Sequence, residues 1–302
     1  MANVYTGAMG MISFQNKLDV IGNNIANSRS NGYKKDHETF SVFEEGLRRI
    51  ISNDKTGVIG KYQEEVHTDD IQTNFDPGLL QVTESPLDVS LQNKTDENGN
   101  KSISFFEVGI NGEKRLTRDG HFQLDEERNL SLMNGAFLLD VNGNRIQIPN
   151  GVEATIDKEG RVLNKESGEE IAKLQIRTVD KENTGYLKKT EGSMFKVMTV
   201  ADIQDTFGPL DKVLGAFDTN QSLLKVLKNK EVLTEANNTG QINIFNPVNN
   251  VTVASQTLEQ SNVDIAYEMN ELMLAQKGFQ ANSKAVTTFD KVNEKDANQI
   301  GA

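Results

Sequence analysis

Apolar residues recur every seven positions at both ends of this 302-residue chain, and the long middle part lacks that pattern. Near the N-terminus the repeat consists of Val4, Met11, Leu18 and Ile25, with Phe14 and Ile21 on the adjacent line. Near the C-terminus it consists of Ile265, Leu272, Phe279 and Val286, with Met269, Met273 and Phe289 beside it. A seven-residue spacing keeps one stripe of an α-helix against a partner helix. Stripes at opposite termini can pair only if the chain returns to its start, which indicates an assembly element rather than a catalyst.

Local signals set the predicted limits of the two helices. The first should run from Val4 to about Ala26, because asparagines and serines accumulate there and Asn31-Gly32 supplies a stop. The last should begin near Ser261 or Asn262, which are natural N-caps, with Asp264 at the positive end of the helix. Its predicted end is about Asn293.

Residues 100–200 carry a β pattern. Short alternating runs are separated by turn dipeptides, namely Asn98-Gly99, Asn111-Gly112, Asp119-Gly120, Asn134-Gly135, Asn142-Gly143 and Glu159-Gly160. Such dipeptides supply the positive φ angles of tight hairpins. The strand candidates are Ser104–Ile110, Phe122–Leu124, Ala136–Leu139, Ala154–Ile156 and Ala172–Val179. Turns about ten residues apart favour an antiparallel sandwich or small barrel.

The predicted fold class is therefore α+β, with N- and C-terminal helices pairing as a coiled-coil-like inner domain around a central, mainly antiparallel β domain. Residues 1–35 and 255–302 would form the helical assembly domain, and 76–200 the β domain. Residues 36–75 are predicted to form a connecting arm, to which the sequence assigns no regular secondary structure. Residues 200–254 suggest an insertion with short helices and a return strand.

Composition excludes several classes of protein. The formal net charge of −12 argues against binding nucleic acid through its phosphates. The absence of cysteine excludes disulfides, thiolate metal sites and cysteine nucleophiles. The first thirty residues do not resemble a cleaved signal peptide, and no stretch is apolar enough to span a bilayer. We therefore expect neither nucleic-acid binding nor a membrane-spanning segment.

Catalytic and metal-binding patterns are incomplete in this sequence. Three Asp-initiated turns, at residues 96–100, 140–144 and 157–160, resemble a calcium loop in part, but lack its second half. His37, His67 and His121 are scattered, with no accompanying ligand set. Adjacent carboxylates such as Glu44-Glu45 point to different sides of an element and form no acid/base pair. The sequence predicts no catalytic, cofactor or metal site, and no enzyme.

Charge supports pairing of the two ends. Residues 1–35 hold four basic and one acidic side chain, whereas residues 255–302 hold four basic and seven acidic ones. A helix lying on a membrane surface should instead have a polar face rich in lysine and arginine. The opposite charges suit two helices packing on each other or on neighbouring copies.

Several sequence segments resemble the signatures of bacterial flagellar rod and hook proteins. At the N-terminus these are residues 6–9, 18–27 and 31–35, which include Asn23, Asn24, Asn27 and Gly32. At the C-terminus they are residues 258–264, 268–269, 272–273 and 276–284, which include Asn262, Gln276 and Asn282. Residues 116–125 resemble the central "TR-x-G-x-F-x-L-D" stretch of the family, and Pro86-Leu87-Asp88-Val89 another segment. The central stretch is most similar to the rod proteins with one β domain, of proximal or distal type.

The resemblance implies a structural subunit in the flagellar basal body. Its terminal helices would line a helical tube around an export channel, transmitting torque from motor to hook, with the β domain facing outward. Implied partners are further copies, other rod and hook proteins, the flagellar type III export apparatus and outer ring proteins. Export would need no cleaved signal peptide. Segments 40–72 and 200–250 depart from the family pattern.

Two alternatives stay open on the sequence alone. The β domain could belong to a secreted or surface binding module, adhesin-like or cap-like. The asparagines at 23–27 could form hydrogen bonds between subunits, or simply end the first helix.

Overall fold

The computed structural model describes residues 2–42, 46–52, 55–62, 66–95, 101–191, 193–216, 227, 229–246 and 251–300. Some sequence predictions lie outside the described residues: the side chains of Val4 and His67, and the turn at 96–100. Within the described part, the chain divides into two compact units.

In chain order, helix α1 (Ala2–Ala26) is followed by β1 (Asp36–Val42), β2 (Gly46–Ser52), β3 (Lys55–Tyr62) and β4 (Val66–Thr73). Next come β5 (Leu80–Val82), β6 (Val89–Leu91), β7 (Lys94–Thr95), β8 (Lys101–Ile110), β9 (Glu113–Thr117), β10 (Gln123–Leu124), β11 (Leu130–Ser131) and β12 (Phe137–Leu138). The chain continues with β13 (Ala154–Ile156), β14 (Arg161–Asn164), β15 (Glu170–Lys173), β16 (Ile176–Asp180), β17 (Leu187–Lys189) and β18 (Met194–Val197). The last elements are α2 (Val200–Phe207), α3 (Leu210–Ala216), α4 (Lys230–Thr239), β19 (Phe245–Asn246), β20 (Val253–Ser255), β21 (Thr257–Glu259) and α5 (Ile265–Ile300).

The first unit, which we call the helical unit, consists of Met1–Asn27, Asp36–Asn74 and Val263–Ala302. Its main contact is between α1 and α5. The segment predicted as a connecting arm forms antiparallel strands, with β1 paired to β4 and β2 paired to β3. Both β1 and β4 contact α1. After α1 the chain therefore passes through β1 and β2, and it returns through β3 and β4, which pair antiparallel with them.

The second unit, which we call the β unit, consists of Ser28–Lys35 and Phe75–Asn262. Its main sheet has the order β10-β11-β12-β8-β9-β18-β17, and β16 and β7 also pair with β8. Strands β13, β14 and β15 form a separate sheet. Two short pairs, β6 with β20 and β5 with β21, join the beginning and end of the unit. All these pairings are antiparallel, which confirms the predicted α+β class with a central antiparallel β domain.

The main sheet packs apolar residues on both of its faces. Along β8, Phe106 and Val108 belong to one apolar cluster, whereas Ile103 and Phe105 belong to another, as the two-residue period of a strand requires. The second cluster includes residues of segment 200–254, which the sequence suggests is an insertion, namely Ile203, Leu210, Val213, Leu227, Val232, Leu233 and Ile244. This segment, whose role the sequence leaves open, therefore covers part of one sheet face.

Several local predictions need correction. Ala172–Val179 is not one strand but two, β15 and β16. Helix α5 starts later than predicted, because Asp264, and not Ser261 or Asn262, accepts hydrogen bonds at its start, from the backbone N–H groups of Ala266 and Tyr267. The predicted end at Asn293 is also wrong, since the helix continues to Ile300.

The dipeptide Asp119-Gly120 does not form the predicted hairpin. Gly120 lacks a positive φ, whereas Gly112, Gly135, Gly143 and Gly160 of the other turns have φ of 74–82°. Gly120 instead lies against the backbone of Val89, whose N–H donates to the Gly120 carbonyl at 3.1 Å. A Cβ at Gly120 would overlap the carbonyl oxygen of Val89. This glycine is thus required by a close backbone approach and not by a turn.

Candidate assembly site

The helices α1 and α5 pack antiparallel along surfaces that contain glycines. Gly7 lies opposite Val286, Gly10 opposite Asn282, and Gly278 opposite the ring of Phe14. A Cβ at Gly7 would lie 2.7 Å from Val286 Cγ2, and one at Gly10 would lie 2.9 Å from Asn282 Nδ2. Because glycine has no side chain, the helix backbones come closer than larger residues would permit.

The predicted seam residues of α1 whose side chains are described are buried or half-buried, and Phe14 contacts α5 at Gly278. Ile21 is buried, and Met11, Phe14, Leu18 and Ile25 are half-buried. On α5, Leu272, Phe279 and Val286 are half-buried. Ile265 and Met269 are 43% and 54% exposed. Their assignment to a helix seam therefore stays a prediction about an assembled state.

Two polar contacts fix the same antiparallel register. Lys17 Nζ lies 2.6 Å from Glu271 Oε2, on partly exposed side chains. Asn24 is buried, and its Nδ2 donates to Glu268 Oε2 at 3.3 Å. The same Nδ2 donates to the Asp36 carbonyl at 2.8 Å, while Asn24 Oδ1 accepts from the Asp36 N–H at 3.0 Å. Asn24 therefore links α1, α5 and the start of β1.

The other family-signature residues of the helical unit lie nearer its surface. Asn27 Nδ2 donates to the carbonyl and the side-chain oxygen of Asn23, at 2.9 and 2.7 Å. These bonds lie at the end of α1, where helix carbonyls lack partners. Gln276 is exposed and Asn282 is half-buried beside Gly10. The asparagines at 23–27 are thus engaged within the chain, and a role between subunits stays a prediction.

An apolar surface remains uncovered on α5. Its members are the exposed side chains of Ile265, Tyr267, Met269, Met273 and Leu274, with Phe289 and Val292 farther along the helix. We call this set the α5 apolar surface. By helix periodicity, Ile265, Met269 and Met273 lie on one flank of the side that faces α1, and Tyr267, Leu274 and Val292 on the other. Exposed apolar residues of this kind mark interaction sites in folded proteins.

In the β unit, the signature segments 31–35, 116–125 and 258–264 meet. Gly32 has a φ of 64°, and its N–H donates to the Glu259 carbonyl at 2.7 Å. A Cβ at this position would overlap the backbone of Arg118. Asn262 Oδ1 accepts from the Lys35 N–H at 2.8 Å, and Asn262 Nδ2 donates to the Asp76 carbonyl at 3.0 Å.

A buried charge cluster lies where these segments meet. Lys34 Nζ lies 2.7 Å from Glu259 Oε1, and Arg118 Nη2 lies 2.6 Å from Glu259 Oε2. The side chains of Lys34, Arg118 and Glu259 are exposed by 0%, 1% and 1%. We call these three residues the charge cluster.

Backbone groups satisfy the rest of the charge cluster. The Arg118 guanidinium donates to the carbonyls of Leu91 at 2.8 Å and Ser104 at 2.6 Å. Lys34 Nζ donates to the Asp76 carbonyl at 2.9 Å. Glu259 Oε1 also accepts from the Gly78 N–H at 3.0 Å. A buried charge that lacks such partners is strongly destabilising, so these bonds make the arrangement possible.

Burial and charge act in opposite directions on the ionisation of the cluster. Burial alone would raise the pKa of Glu259, but the positive charges of Arg118 and Lys34 outweigh it and lower that pKa. Burial lowers the pKa values of Lys34 and Arg118, while Glu259 opposes the change. The cluster joins segments far apart in sequence by charge as well as by packing.

Sequence reasoning missed the charge cluster. A signal was present, because Lys34, Arg118 and Glu259 each lie inside a segment that resembles a family signature. The residue types themselves predict exposure, since lysine, arginine and glutamate are rarely buried unless they are paired.

The described residues offer little for other kinds of chemistry. Among them, no group of three or more His, Asp or Glu side chains is arranged to hold a metal ion. His121 Nδ1 lies 2.9 Å from the buried carboxylate of Asp88, and His37 is exposed. Of the described helices, none combines the length and apolarity needed to cross a bilayer.

Comparison with known proteins gives three family matches. Residues 4–34 match "Flagella basal body rod protein", residues 102–164 match "Flagellar hook protein FlgE/F/G D1 domain", and residues 254–300 match "Flagellar basal body rod FlgEFG protein C-terminal". The matched ranges include most of α1, strands β8 and β9 with the following Arg118, and α5.

Individual relatives align over nearly the whole chain. The flagellar basal-body rod protein FlgG of Bacillus subtilis is 28% identical over 295 residues, which is 97% of this chain and 96% of that protein. The flagellar hook-basal body complex protein FlhO of the same organism is 25% identical over 100% of this chain and 99% of its own length. The rod protein FlgF of Buchnera aphidicola subsp. Schizaphis graminum is 27% identical over 98% and 96%.

A chain whose two ends pair as helices, with a β unit between them, has the construction of an assembly subunit. The family matches at both ends and in the middle, together with rod-protein relatives that align over nearly the whole chain, support a flagellar basal-body rod family protein.

Proposed function

We propose that the protein is a structural subunit of the flagellar rod, and that it polymerises into a helical tube that transmits torque from motor to hook and encloses the export channel. Relatives named as rod proteins align with it from end to end. Its role is structural, not enzymatic. Its partners are further copies and the neighbouring rod and hook proteins, and it is located in the basal body.

The observation that carries this proposal is the α5 apolar surface. In the single chain, Met269, Met273 and Leu274 are each more than half exposed, although α5 is packed along another side by α1. Burying apolar area stabilises by roughly 25 cal/mol per Å², so such side chains favour association. In a tube, the helices of neighbouring copies would cover this surface.

Assembly would also complete the folding of the helical unit. Most helix stability comes from packing of an apolar face, and many seam residues are only half-buried in one chain. We infer that the terminal helices gain their full stability in the polymer. Subunits delivered through the flagellar export apparatus would then associate at the growing end instead of in the cytoplasm.

Outer ring proteins remain part of the proposal as neighbours of the β unit. The alternative of an adhesin-like or cap-like binding module receives no support from the relatives, which are named as rod and hook-basal body proteins. The charge cluster belongs to the structural framework of the β unit and needs no ligand.

Localisation of the intact chain tests the proposal. An epitope inserted at the exposed turn Asn142-Gly143 should be detected by immunogold labelling in the rod segment of purified basal bodies. Deleting the gene should leave basal bodies without a hook, and the tagged chain should restore hooks and swimming. Label confined to the outer cell surface, together with normal swimming in the deletion strain, would support the adhesin-like alternative and refute the rod assignment.

A further inference from the structure

A groove opens on one face of the main sheet in the β unit. It has a volume of about 330 Å³, within the range of ligand-binding clefts. Its floor includes the apolar residues Leu116, Val197 and Phe245. Four cations line it, namely Lys114, Arg115, Arg177 and Lys196, together with the carboxylates Glu107 and Glu113. Positive side chains therefore outnumber negative ones here, in a chain whose net charge is −12.

The groove continues the sheet face that the insertion covers. Ile103, Phe105 and Glu107 alternate along β8 and so point to the same side. Ile103 and Phe105 pack in the cluster that contains residues of α2, α3 and α4. Glu107, the next residue of β8 on this same side, lines the groove instead. The groove is thus a part of this face that has apolar residues but is open.

Glu107 organises the cations of the groove. Its carboxylate is buried and pairs with Lys114 Nζ at 2.8 Å and with the guanidinium of Arg177. Burial would raise the pKa of Glu107, but hydrogen bonds from Lys114 and Arg177 outweigh it and lower the pKa. The other two cations have a carboxylate each, since Arg115 pairs with Glu113 and Lys196 lies 3.4 Å from Asp202 Oδ2. Because Glu107 holds two cations, the groove keeps a net positive charge.

An acidic turn with complementary properties joins β14 and β15. Its exposed residues are Lys165, Glu166, Ser167, Gly168, Glu169 and Glu170, and the one cation among them, Lys165, pairs with Glu153 outside the turn. Asn164 holds the turn, because its Oδ1 accepts from the N–H groups of Glu166 at 2.9 Å and Ser167 at 3.3 Å, and its carbonyl accepts from Gly168 at 2.8 Å. A turn that is already ordered loses little entropy on binding. We call it the acidic tip.

The carboxylates of the acidic tip are exposed, and Glu169 Oε2 accepts a long hydrogen bond from Ser167 Oγ of the same turn at 3.4 Å. Among the described residues, Glu166, Glu169 and Glu170 form no ion pair with lysine or arginine, whereas Lys165 pairs with Glu153 and Arg161 with Asp157 and Glu159. A second acidic turn, residues 125–127, is different. There Asp125 accepts from Asn129 at 2.7 and 2.9 Å, and its carboxylate is already engaged.

We propose that the groove of one copy receives the acidic tip of a neighbouring copy in the rod. This inference rests on the proposed function. No residue of the tip lines the groove of its own chain, so the two surfaces are separate on each subunit. A contact between two different surfaces is heterologous, and repeating it produces an open helical polymer instead of a closed dimer. The small residues Ser167 and Gly168 let the tip enter a cleft of this size.

Cross-linking in assembled basal bodies tests the contact directly. The chain has no cysteine, so Glu113→Cys and Ser167→Cys placed together create the only thiols in the subunit. Glu113 lines the groove and is 65% exposed, and Ser167 is exposed, so both changes should preserve folding and keep the cations of the groove and the carboxylates of the tip. A short bismaleimide should then produce a ladder of dimers, trimers and longer products from purified basal bodies. A ladder is expected because each copy offers both surfaces.

Matched pairs serve as controls. Glu113→Cys with Glu126→Cys uses another acidic turn, and Lys158→Cys with Ser167→Cys replaces the groove position by an exposed lysine elsewhere. Both should give much less ladder than the groove and tip pair. Should Glu113→Cys reduce the amount of folded chain, Val197→Cys provides a second position, since that residue also lines the groove and is close to cysteine in size.

The outcomes separate this inference from the proposed function. Incorporation of the double variant without a ladder, or with no more ladder than the control pairs, would overturn the groove contact and leave the rod assignment standing. Failure of the unaltered chain to appear in basal bodies would overturn both.

Neutralising the tip gives an independent measure. The triple change Glu166→Gln, Glu169→Gln and Glu170→Gln should reduce incorporation, in competition with the unaltered chain, by roughly tenfold, because exposed charge pairs each contribute modestly and three are removed. The same change at Glu126 and Glu127 should not. Equal incorporation of the triple variant would contradict the inference.

Discussion

The two units of this chain differ in how completely they bury their own residues. In the β unit, Val89, Phe105 and Leu130 are fully buried, and even the charge cluster is excluded from water. In the helical unit, Ile21 and Ala275 are the apolar side chains buried among those that the structure describes there, while the α5 apolar surface is open. The β unit satisfies its own packing, whereas the helical unit presents surfaces that need neighbours. This division suits a subunit that must be soluble alone and rigid in a polymer.

The largest expected effect is on the β unit. Glu259→Gln removes the charge that neutralises Lys34 and Arg118, so two cations stay buried with their carboxylate gone. We expect the free energy of unfolding to fall by about 3–5 kcal/mol, measured by urea denaturation. Glu153→Gln is the control, because its pair with Lys165 is exposed, and it should leave the unfolding curve unchanged. Equal curves for both variants would show that the charge cluster does not hold the β unit together.

The next effect concerns Gly120. Gly120→Ala places a methyl group against the Val89 carbonyl, and backbone cannot move aside as a side chain can. We expect a loss of about 2–3 kcal/mol in the free energy of unfolding. Gly109→Ala is matched to it, since a Cβ there would lie 3.4 Å from Leu139 Cδ2, an ordinary contact. An alanine tolerated equally at both positions would refute the close approach at Gly120.

A third prediction separates the two sides of α5. Leu272→Asp puts a charge on a half-buried residue, and should weaken the pairing with α1 by about 2 kcal/mol in the single chain. Met273→Asp alters an exposed residue and should leave the single chain unchanged. Far-UV circular dichroism and hydrogen exchange of α1 measure the difference.

Assembly should respond differently from the single chain to these changes. Both Leu272→Asp and Met273→Asp should block incorporation into rods, as should Leu272→Asp combined with Leu18→Asp. Normal swimming with Met273→Asp would mean that the α5 apolar surface is not covered by neighbours. Normal swimming with the Leu18 and Leu272 double variant would contradict the arrangement of paired inner helices.

The smallest effect is a dependence on pH at α2. Thr199 and Asp202 form a reciprocal cap, in which Asp202 Oδ2 accepts from the Thr199 N–H at 2.9 Å and Thr199 Oγ1 accepts from the Asp202 N–H at 3.1 Å. The hydrogen bonds from Thr199 lower the pKa of Asp202 to about 2, from an ordinary value of 3.8. Since the folded-state pKa is the lower one, this stabilisation is present above pH 3.8 and is lost as the pH falls toward 2.

Replacing the carboxylate tests the cap. Asp202→Asn should cost about 1 kcal/mol at pH 7 and reduce the acid sensitivity of the β unit. Asp205→Asn, at an exposed position of the same helix, should do neither. The lowered pKa of Glu259 acts in the same direction below pH 4.5, so the acid sensitivity is reduced and not abolished. Identical acid unfolding of Asp202→Asn and the unaltered chain would rule out the contribution of the cap.

Much of the fold could be predicted where the signals are local. The seven-residue repeats predicted α1 and α5, and the asparagine–glycine pairs predicted turns that have the required positive φ, as at Gly112 and Gly143. Strand β13 has the predicted bounds. The misplaced start of α5 shows the limit, because Ser261, Asn262 and Asp264 are all acceptable caps and local chemistry does not choose among them.

The candidate site could likewise be predicted only in part. The stripes predicted that the ends pair, but not that glycines bring the helices close, nor which side of α5 stays open. Asp119-Gly120 has the sequence of a turn, yet its glycine is required by a strand that is distant in sequence. The groove depends on five strands at once, so no single segment carries its signature.

The periodic helices at the termini, the turn-rich β region and the signature segments can be predicted from the chain alone, because each depends on residues within a few positions of one another. The meeting of Lys34, Arg118 and Glu259 is seen only in the folded chain, since Lys34 and Arg118 lie 225 and 141 positions from Glu259. Burying a charge is unfavourable until its partner arrives, and that partner is supplied by the fold and not by neighbours in the chain. The proposed contact between the acidic tip and the groove also cannot be predicted from neighbouring residues, because it requires a second copy of the chain.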